Sequence, residues 1–170
     1  MAGRDIARCG RHAAAALASL LLAAGAAGQT AGPAAPANSC SADRGRAGAV
    51  QMQLVEAALR LRLEDAQFSQ RPLLGCLASG RSVTLPVPLP AGSGQTLVAV
   101  CDKAQCDDIN LVLYDEARRV VGADLEVGAE ARVDLTPPWA GEYVLRVFLP
   151  ACRAAECAFA VGLFSRPTRQ

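Results

Sequence analysis

The sequence predicts an all-β fold: an antiparallel β-sandwich of about seven to eight strands, with one N-terminal helix. Three observations carry that expectation. From residue 80 onward, short segments rich in Val, Leu and Ala are separated by Gly, Pro and Asp turns at roughly the 8–12-residue spacing of small β domains. Several of these segments alternate, as in Glu142–Leu149, where Tyr143, Leu145, Val147 and Leu149 share one face and Glu142, Val144, Arg146 and Phe148 the other. Only one stretch, residues 49–68, carries apolar residues at helical intervals.

The first 26 residues have the layout of a secretory signal peptide. Arg4, Arg8 and Arg11 form a positive start, Ala13 to Ala24 is apolar, and cleavage is expected near Ala24-Gly25-Ala26. The apolar run is shorter than a membrane span needs, and no cysteine sits just past it to take a lipid anchor. The mature chain is therefore expected to be exported, periplasmic or extracellular, without an integral membrane span. Its net charge becomes about −1, since three arginines and Asp5 leave with the signal. No basic run remains to bind nucleic acid. His12, the only histidine, also leaves, which removes Ser–His and Cys–His catalytic pairs and histidine metal ligands.

Residues 27–48 begin with an Ala, Gly and Pro spacer and read as a flexible linker. The helix over 49–68 would turn Val50, Leu54, Ala58, Leu61 and Phe68 onto the sandwich, although Leu59–Leu63 also alternates like a strand. The sandwich is expected over 80–166. Ser82–Leu89 contains Pro86 and Pro88, which restrict it to an edge or an irregular strand. Thr96–Cys101, Asn110–Asp115, Val120–Asp124, Ala131–Leu135, Glu142–Leu149 and Ala158–Ser165 are the following strands, with a break at Thr136–Gly141.

Six cysteines outlast the signal, an even number that suggests disulfides in an exported chain. Cys101 and Cys106 flank four residues between strands, as do Cys152 and Cys157, and positions facing across a hairpin lie within disulfide reach. Local pairing in each hairpin leaves Cys40 with Cys76. In the chain-entropy model each short closure contributes about 2 kcal/mol and the long one about 4 kcal/mol. The competing reading is a zinc site built from the two C-x4-C pairs, which an oxidising compartment disfavours.

Asp102, Asp107, Asp108 and Asn110 place hard oxygen donors within nine residues, and Asp124 could join them from a neighbouring strand. Such a set can hold calcium, the one cofactor the sequence suggests. The plainer reading is that Asp and Asn form turns by bonding nearby backbone groups, and Lys103 adds an opposing charge. Trp139, with Tyr143 and Phe148, is the candidate aromatic contact, against a role in packing at the corner of the sandwich.

The run CDKAQCDDINLVLYDEARRVVGAD, then TPPWAGEYVLRVFLPAC and a closing CAFAVGLF, resembles the bacterial pre-peptidase C-terminal-like domain family over about residues 82–165, in particular a cysteine-containing subset of exported proteins of unknown function. The matching features are Asp108-Ile109-Asn110-Leu111, Asp124, and Gly141-Glu142-Tyr143, with Asn110 standing where the family has a second aspartate. The resemblance implies a jelly-roll-like sandwich used as a non-catalytic accessory module of exported proteins, some relatives binding calcium or a polymeric substrate. The expected function is thus an exported binding or structural module with an unassigned protein or polysaccharide partner. Alternatives are a calcium-dependent surface-binding module, or a subunit of an envelope assembly docked through residues 49–68. A hydrolase using Asp107, Asp108 or Asp124 is disfavoured, because paired carboxylates need a cleft between them.

Overall fold

The computed structural model describes residues 44–63 and 67–165. The expected signal peptide (1–26), most of the linker and Cys40 lie outside the described residues. Among the described residues there is one helix, α1 (Arg44–Arg60), and nine strands: β1 (Gln67–Phe68), β2 (Leu73–Leu77), β3 (Arg81–Leu89), β4 (Gln95–Cys101), β5 (Cys106–Tyr114), β6 (Val120–Asp124), β7 (Glu130–Leu135), β8 (Gly141–Cys152) and β9 (Cys157–Ser165).

The strand pairing is nested. β2 pairs with β9, β3 with β8, β4 with β7 and β5 with β6, all antiparallel, as if one long hairpin had been rolled up. Rolling is completed by β4 against β9 and β5 against β8. The result is two sheets, sheet A in the order β2-β9-β4-β7 with β1 beside β2 on β9, and sheet B in the order β3-β8-β5-β6. That order is a jelly roll, the eight-stranded double-sheet solution to the edge problem. Pro86 and Pro88 stand on β3, which is at the end of sheet B, where a missing N–H breaks no ladder bond.

Between the sheets lies the main core, with Leu85, Val87, Leu97, Ile109, Leu111, Leu113, Tyr143, Leu145, Val147 and Phe159 among its buried members. A second cluster sits on the far side of sheet A, where Val50, Leu54, Ala57 and Ala58 of α1 pack on Val98, Val100, Ala158, Ala160 and Phe164. β4 is buried along its whole length for this reason. Each fully buried Val or Leu in that layer is worth about 1.5–3 kcal/mol relative to exposure. At Gly122 the sheets approach so closely that an added Cβ would lie 2.5 Å from Val133 Cγ1.

Three expectations need correcting. The helix spans Arg44–Arg60 rather than 49–68, so it takes in part of the expected linker, and Phe68 belongs to β1. A Schellman turn stops the helix: Leu63 N–H donates to Ala58 O and Arg62 N–H to Leu59 O, with Arg62 left-handed at φ 53° and Leu63 buried beside Ala58. The sandwich also begins before residue 80, because β1 and β2 pair along β9.

The third correction concerns the cysteines. Cys101 is bonded to Cys106 and Cys152 to Cys157, each with Cα atoms 5.9 Å apart. Neither pair spans a hairpin. β4 and β9 belong to sheet A while β5 and β8 belong to sheet B, so both four-residue loops are arches that cross the sandwich. Each bond staples the two sheets at the same end, where Cys106 is paired in register with Cys152. A Cα separation suited to a disulfide occurs in either geometry. Cys76, on β2, is also disulfide-bonded; its expected partner Cys40 is among the residues not described.

Candidate binding face

The helix covers sheet A and leaves the outer face of sheet B bare. Alternation along three neighbouring strands decides what that face carries. Val87, Tyr143, Leu145, Val147, Leu111 and Leu113 point into the core, so Thr84, Val144, Arg146, Val112 and Tyr114 point away from it. Register then brings them together: Thr84 pairs with Arg146, Arg146 with Val112, and Val144 with Tyr114. A depression of about 320 Å³ results, lined by Thr84, Tyr114, Arg118, Val144 and Arg146.

Arg118 reaches this face from the β5–β6 turn, and Asp115 builds the turn. The buried Asp115 carboxylate accepts the Arg119 N–H at 2.9 Å and Arg119 Nε at 2.7 Å, while Asp115 N–H donates to Arg119 O. Arg118 sits between them at φ 62°, a left-handed position that non-glycine residues seldom occupy. The backbone N–H of Arg119, helped by its guanidinium, holds the Asp115 carboxyl below the usual range against the opposing effect of burial. Arg146 lies over the Phe148 ring at 5.4 Å, a cation–π contact that rests its guanidinium on the sheet. None of the ion pairs among the described residues uses Arg118 or Arg146. The face therefore offers two unpaired guanidiniums beside valine side chains and a tyrosine.

A second cleft, about 410 Å³, lies on the far side of sheet A and is lined by Gln95, Thr96, Arg132, Asp134 and Leu135. Its polar groups serve one another: Thr96 donates to Asp134 at 2.6 Å, and Arg132 Nε lies 2.6 Å from Asp134 Oδ2. α1 also shows an exposed apolar stripe, Met52, Val55 and Leu59, on the side turned away from the sheet.

The acidic residues are dispersed rather than gathered. Asp102 accepts the Ala104 N–H at 3.1 Å inside its own arch. Asp107 is exposed and pairs with Arg153, which also donates to Lys103 O and Ala104 O and so ties the two arches together. Asp108 accepts the Gly128 N–H at 3.4 Å. Asp124 accepts the Glu126 N–H at 3.1 Å and the Arg132 N–H at 2.7 Å, fastening the end of β6 in sheet B to the outer edge of β7 in sheet A. Asn110 is buried with its Oδ1 unpartnered. Among the described residues no three His, Cys, Asp or Glu side chains are placed together to hold a metal ion.

Trp139 is 40% exposed, and its ring stacks on Tyr143 at 6.4 Å. Tyr143 is buried and donates its hydroxyl to Trp139 O at 3.2 Å, fixing the loop into β8. Burial, then the nearby charges of Asp115 and Glu116, push the Tyr143 phenol above its ordinary value, so it stays a neutral donor. Trp139 thus combines a packing role with a surface edge. Arg118, Arg146, Tyr114, Val144 and Thr84 escaped sequence reasoning; the available signal was the outward parity of Val144 and Arg146 on β8.

No helix among the described residues is long and apolar enough to cross a membrane. No family model matches the sequence, and no curated protein matches it. Among solved structures, PliG of Aeromonas hydrophila, a periplasmic lysozyme inhibitor of g-type lysozyme, is similar over 56% of this chain and 84% of that chain, at 13% identity and a TM-score of 0.39.

Proposed function

We propose that this protein is an exported, non-catalytic β-sandwich module that binds an acidic, partly apolar partner through the outer face of sheet B. One observation carries the reading: of the sandwich's two outer faces, α1 covers one, and the other presents Arg118 and Arg146 unpaired beside Tyr114, Val112 and Val144. Carboxylates beside apolar side chains complement such a surface, and an acidic protein segment supplies both. Export is supported by the disulfides, which persist in oxidising compartments, and by the signal-like layout of residues 1–26. The non-catalytic reading is supported by the carboxylates themselves, since Asp108 and Asp124 are engaged with backbone N–H groups and Asp107 with Arg153. Membership in the pre-peptidase C-terminal-like group is likewise a proposal, supported by the jelly-roll order, by Tyr143 at the start of β8 and by Asp124 at the end of β6.

The test is binding of the folded protein to immobilised acidic, neutral and basic peptides that share one apolar pattern, with a carboxylated polysaccharide alongside. Retention on the acidic peptides, falling with salt and weakened about tenfold or more by Arg146→Glu, is expected, since a charge-assisted contact is worth about 1.5–3 kcal/mol. Preference for neutral or basic peptides, or indifference to Arg146→Glu, contradicts the reading; retention by the polysaccharide alone moves the partner to that class. A second reading, a subunit of an envelope assembly, is favoured by the exposed Met52, Val55 and Leu59 stripe. Capture of an envelope component that Leu59→Lys abolishes and Arg146→Glu leaves intact would support that reading over the first.

A further inference from the structure

The outer face of sheet B is ordered along its strands as well as across them. β8 is an interior strand of that sheet, and β3 pairs with it without a break from Arg81 opposite Leu149 to Leu89 opposite Gly141. β5 pairs with its other side in regular register from Asn110 to Tyr114. At the level of Val144 the two ladders align Pro86, Val144 and Tyr114, an apolar row across three strands that is exposed or half-buried. Glu142 and Arg146 stand on β8 on either side of this row, both facing outward, each about 7 Å from Val144 at roughly 3.4 Å per residue. Some 14 Å therefore separates the two by the same rise, too far for them to pair, and neither enters an ion pair among the described residues.

Opposite charges set evenly about an apolar row complement their own image. We infer that a second copy of this chain covers the face, the two copies of sheet B stacking face to face about a two-fold axis along the Pro86–Val144–Tyr114 row. The inference rests on the reading of this face as a binding surface and gives it a first occupant. Rotation about that axis runs β8 antiparallel to β8 of the other copy. Arg146 then meets Glu142 of the other copy, and Glu142 meets its Arg146, closing two identical ion pairs around an apolar centre, as a two-fold interface requires. Stacked sheets lie about 10 Å apart, a gap that an arginine and a glutamate side chain together span. Glu142 of the other copy enters the depression lined by Thr84, Val144 and Arg146. An axis parallel to the strands would instead set Arg146 on Arg146 and Glu142 on Glu142. Charge thus selects the antiparallel stack, and an acidic peptide competes with the second copy for the Arg146 guanidinium.

Sedimentation equilibrium of the full chain, alone and with a glutamate-rich peptide containing leucine and valine, tests this. A concentration-dependent monomer–dimer equilibrium is expected, displaced toward monomer by the peptide. Glu142→Arg alone should weaken the dimer about tenfold or more, since like charges then meet at two symmetric positions, and should leave retention on acidic peptides at least as strong. Arg146→Glu alone should weaken both. Combining the two should restore the wild-type dimer dissociation constant to within about threefold but not the peptide binding. Far-UV circular dichroism and the melting temperature confirm that each variant is folded. A monomer at every concentration, a dimer indifferent to Glu142→Arg, or a double variant no better than the singles overturns the proposal; acidic-peptide retention in the same samples would leave the binding-face reading standing. A dimer that follows the charge pattern in a protein indifferent to acidic peptides supports the stack and contradicts the acidic partner.

Discussion

Asp124 separates two accounts of the acidic residues in this chain. If it is a staple between sheets, Asp124→Ala removes a carboxylate that accepts the Arg132 N–H of β7 at 2.7 Å and the Glu126 N–H at 3.1 Å. The Glu126 bond lies in an exposed turn and contributes roughly 0.5 kcal/mol, whereas the charge-assisted Arg132 bond contributes about 1.5–2 kcal/mol. Together they predict a loss of about 2 kcal/mol. At roughly 3–5 °C per kcal/mol for a domain of this size, the melting temperature should fall by about 6–10 °C. Calorimetry in calcium and again in excess chelator is the assay, and the loss should be the same in both. A ligand at 100 times its dissociation constant stabilises by about 2.7 kcal/mol, so a calcium site would show as a shift in the wild type that the variant lacks. A loss confined to the calcium sample, or no loss in either, refutes the staple.

Gly122→Ala should cost about 1–3 kcal/mol in urea unfolding, because the new Cβ would sit 2.5 Å from Val133 Cγ1 at a closed seam; an unchanged midpoint would mean the sheets part freely there. Leu54→Ala should cost about 2–5 kcal/mol, as Leu54 is fully buried between α1 and sheet A, and a cost below 1 kcal/mol would show that the helix is not part of the fold. The depressed Asp115 carboxyl adds stability that is present above the unfolded carboxylate value of about 3.9 and is lost as pH falls through the lower folded value. Asp115→Asn should therefore be less stable at pH 7 and show a flatter acid limb between pH 5 and 2, whereas identical acid limbs would remove Asp115 from the account.

What could be read from the sequence, and what could not, follows from how each strand is buried. β8 faces the core on one side only, so Tyr143, Leu145, Val147 and Leu149 alternate visibly with Val144, Arg146 and Phe148. β4 is covered on both sides, and its unbroken apolar run therefore hides which residues face the helix. The helix end was illegible because Arg62 occupies the left-handed position that glycine usually marks. Likewise, four residues between strands fit a hairpin or an arch, and only the pairing of β4 with β7 and β9 tells them apart. The binding face was missed for a related reason. Arg118 and Arg146 are 28 positions apart in sequence, and only the β5–β8 register and the Asp115 turn make them neighbours.

The central claim, that the outer face of sheet B is the binding surface, is tested most directly by amide chemical-shift mapping. The ¹⁵N-labelled protein would be titrated with a glutamate-rich peptide containing leucine and valine at low salt. The account predicts saturable shifts at Thr84, Val112, Tyr114, Val144 and Arg146 that disappear in Arg146→Glu and shrink as ionic strength rises. Shifts confined to the Trp139 loop, the cysteine-closed arches or the exposed stripe of α1, with sheet B silent, would contradict it.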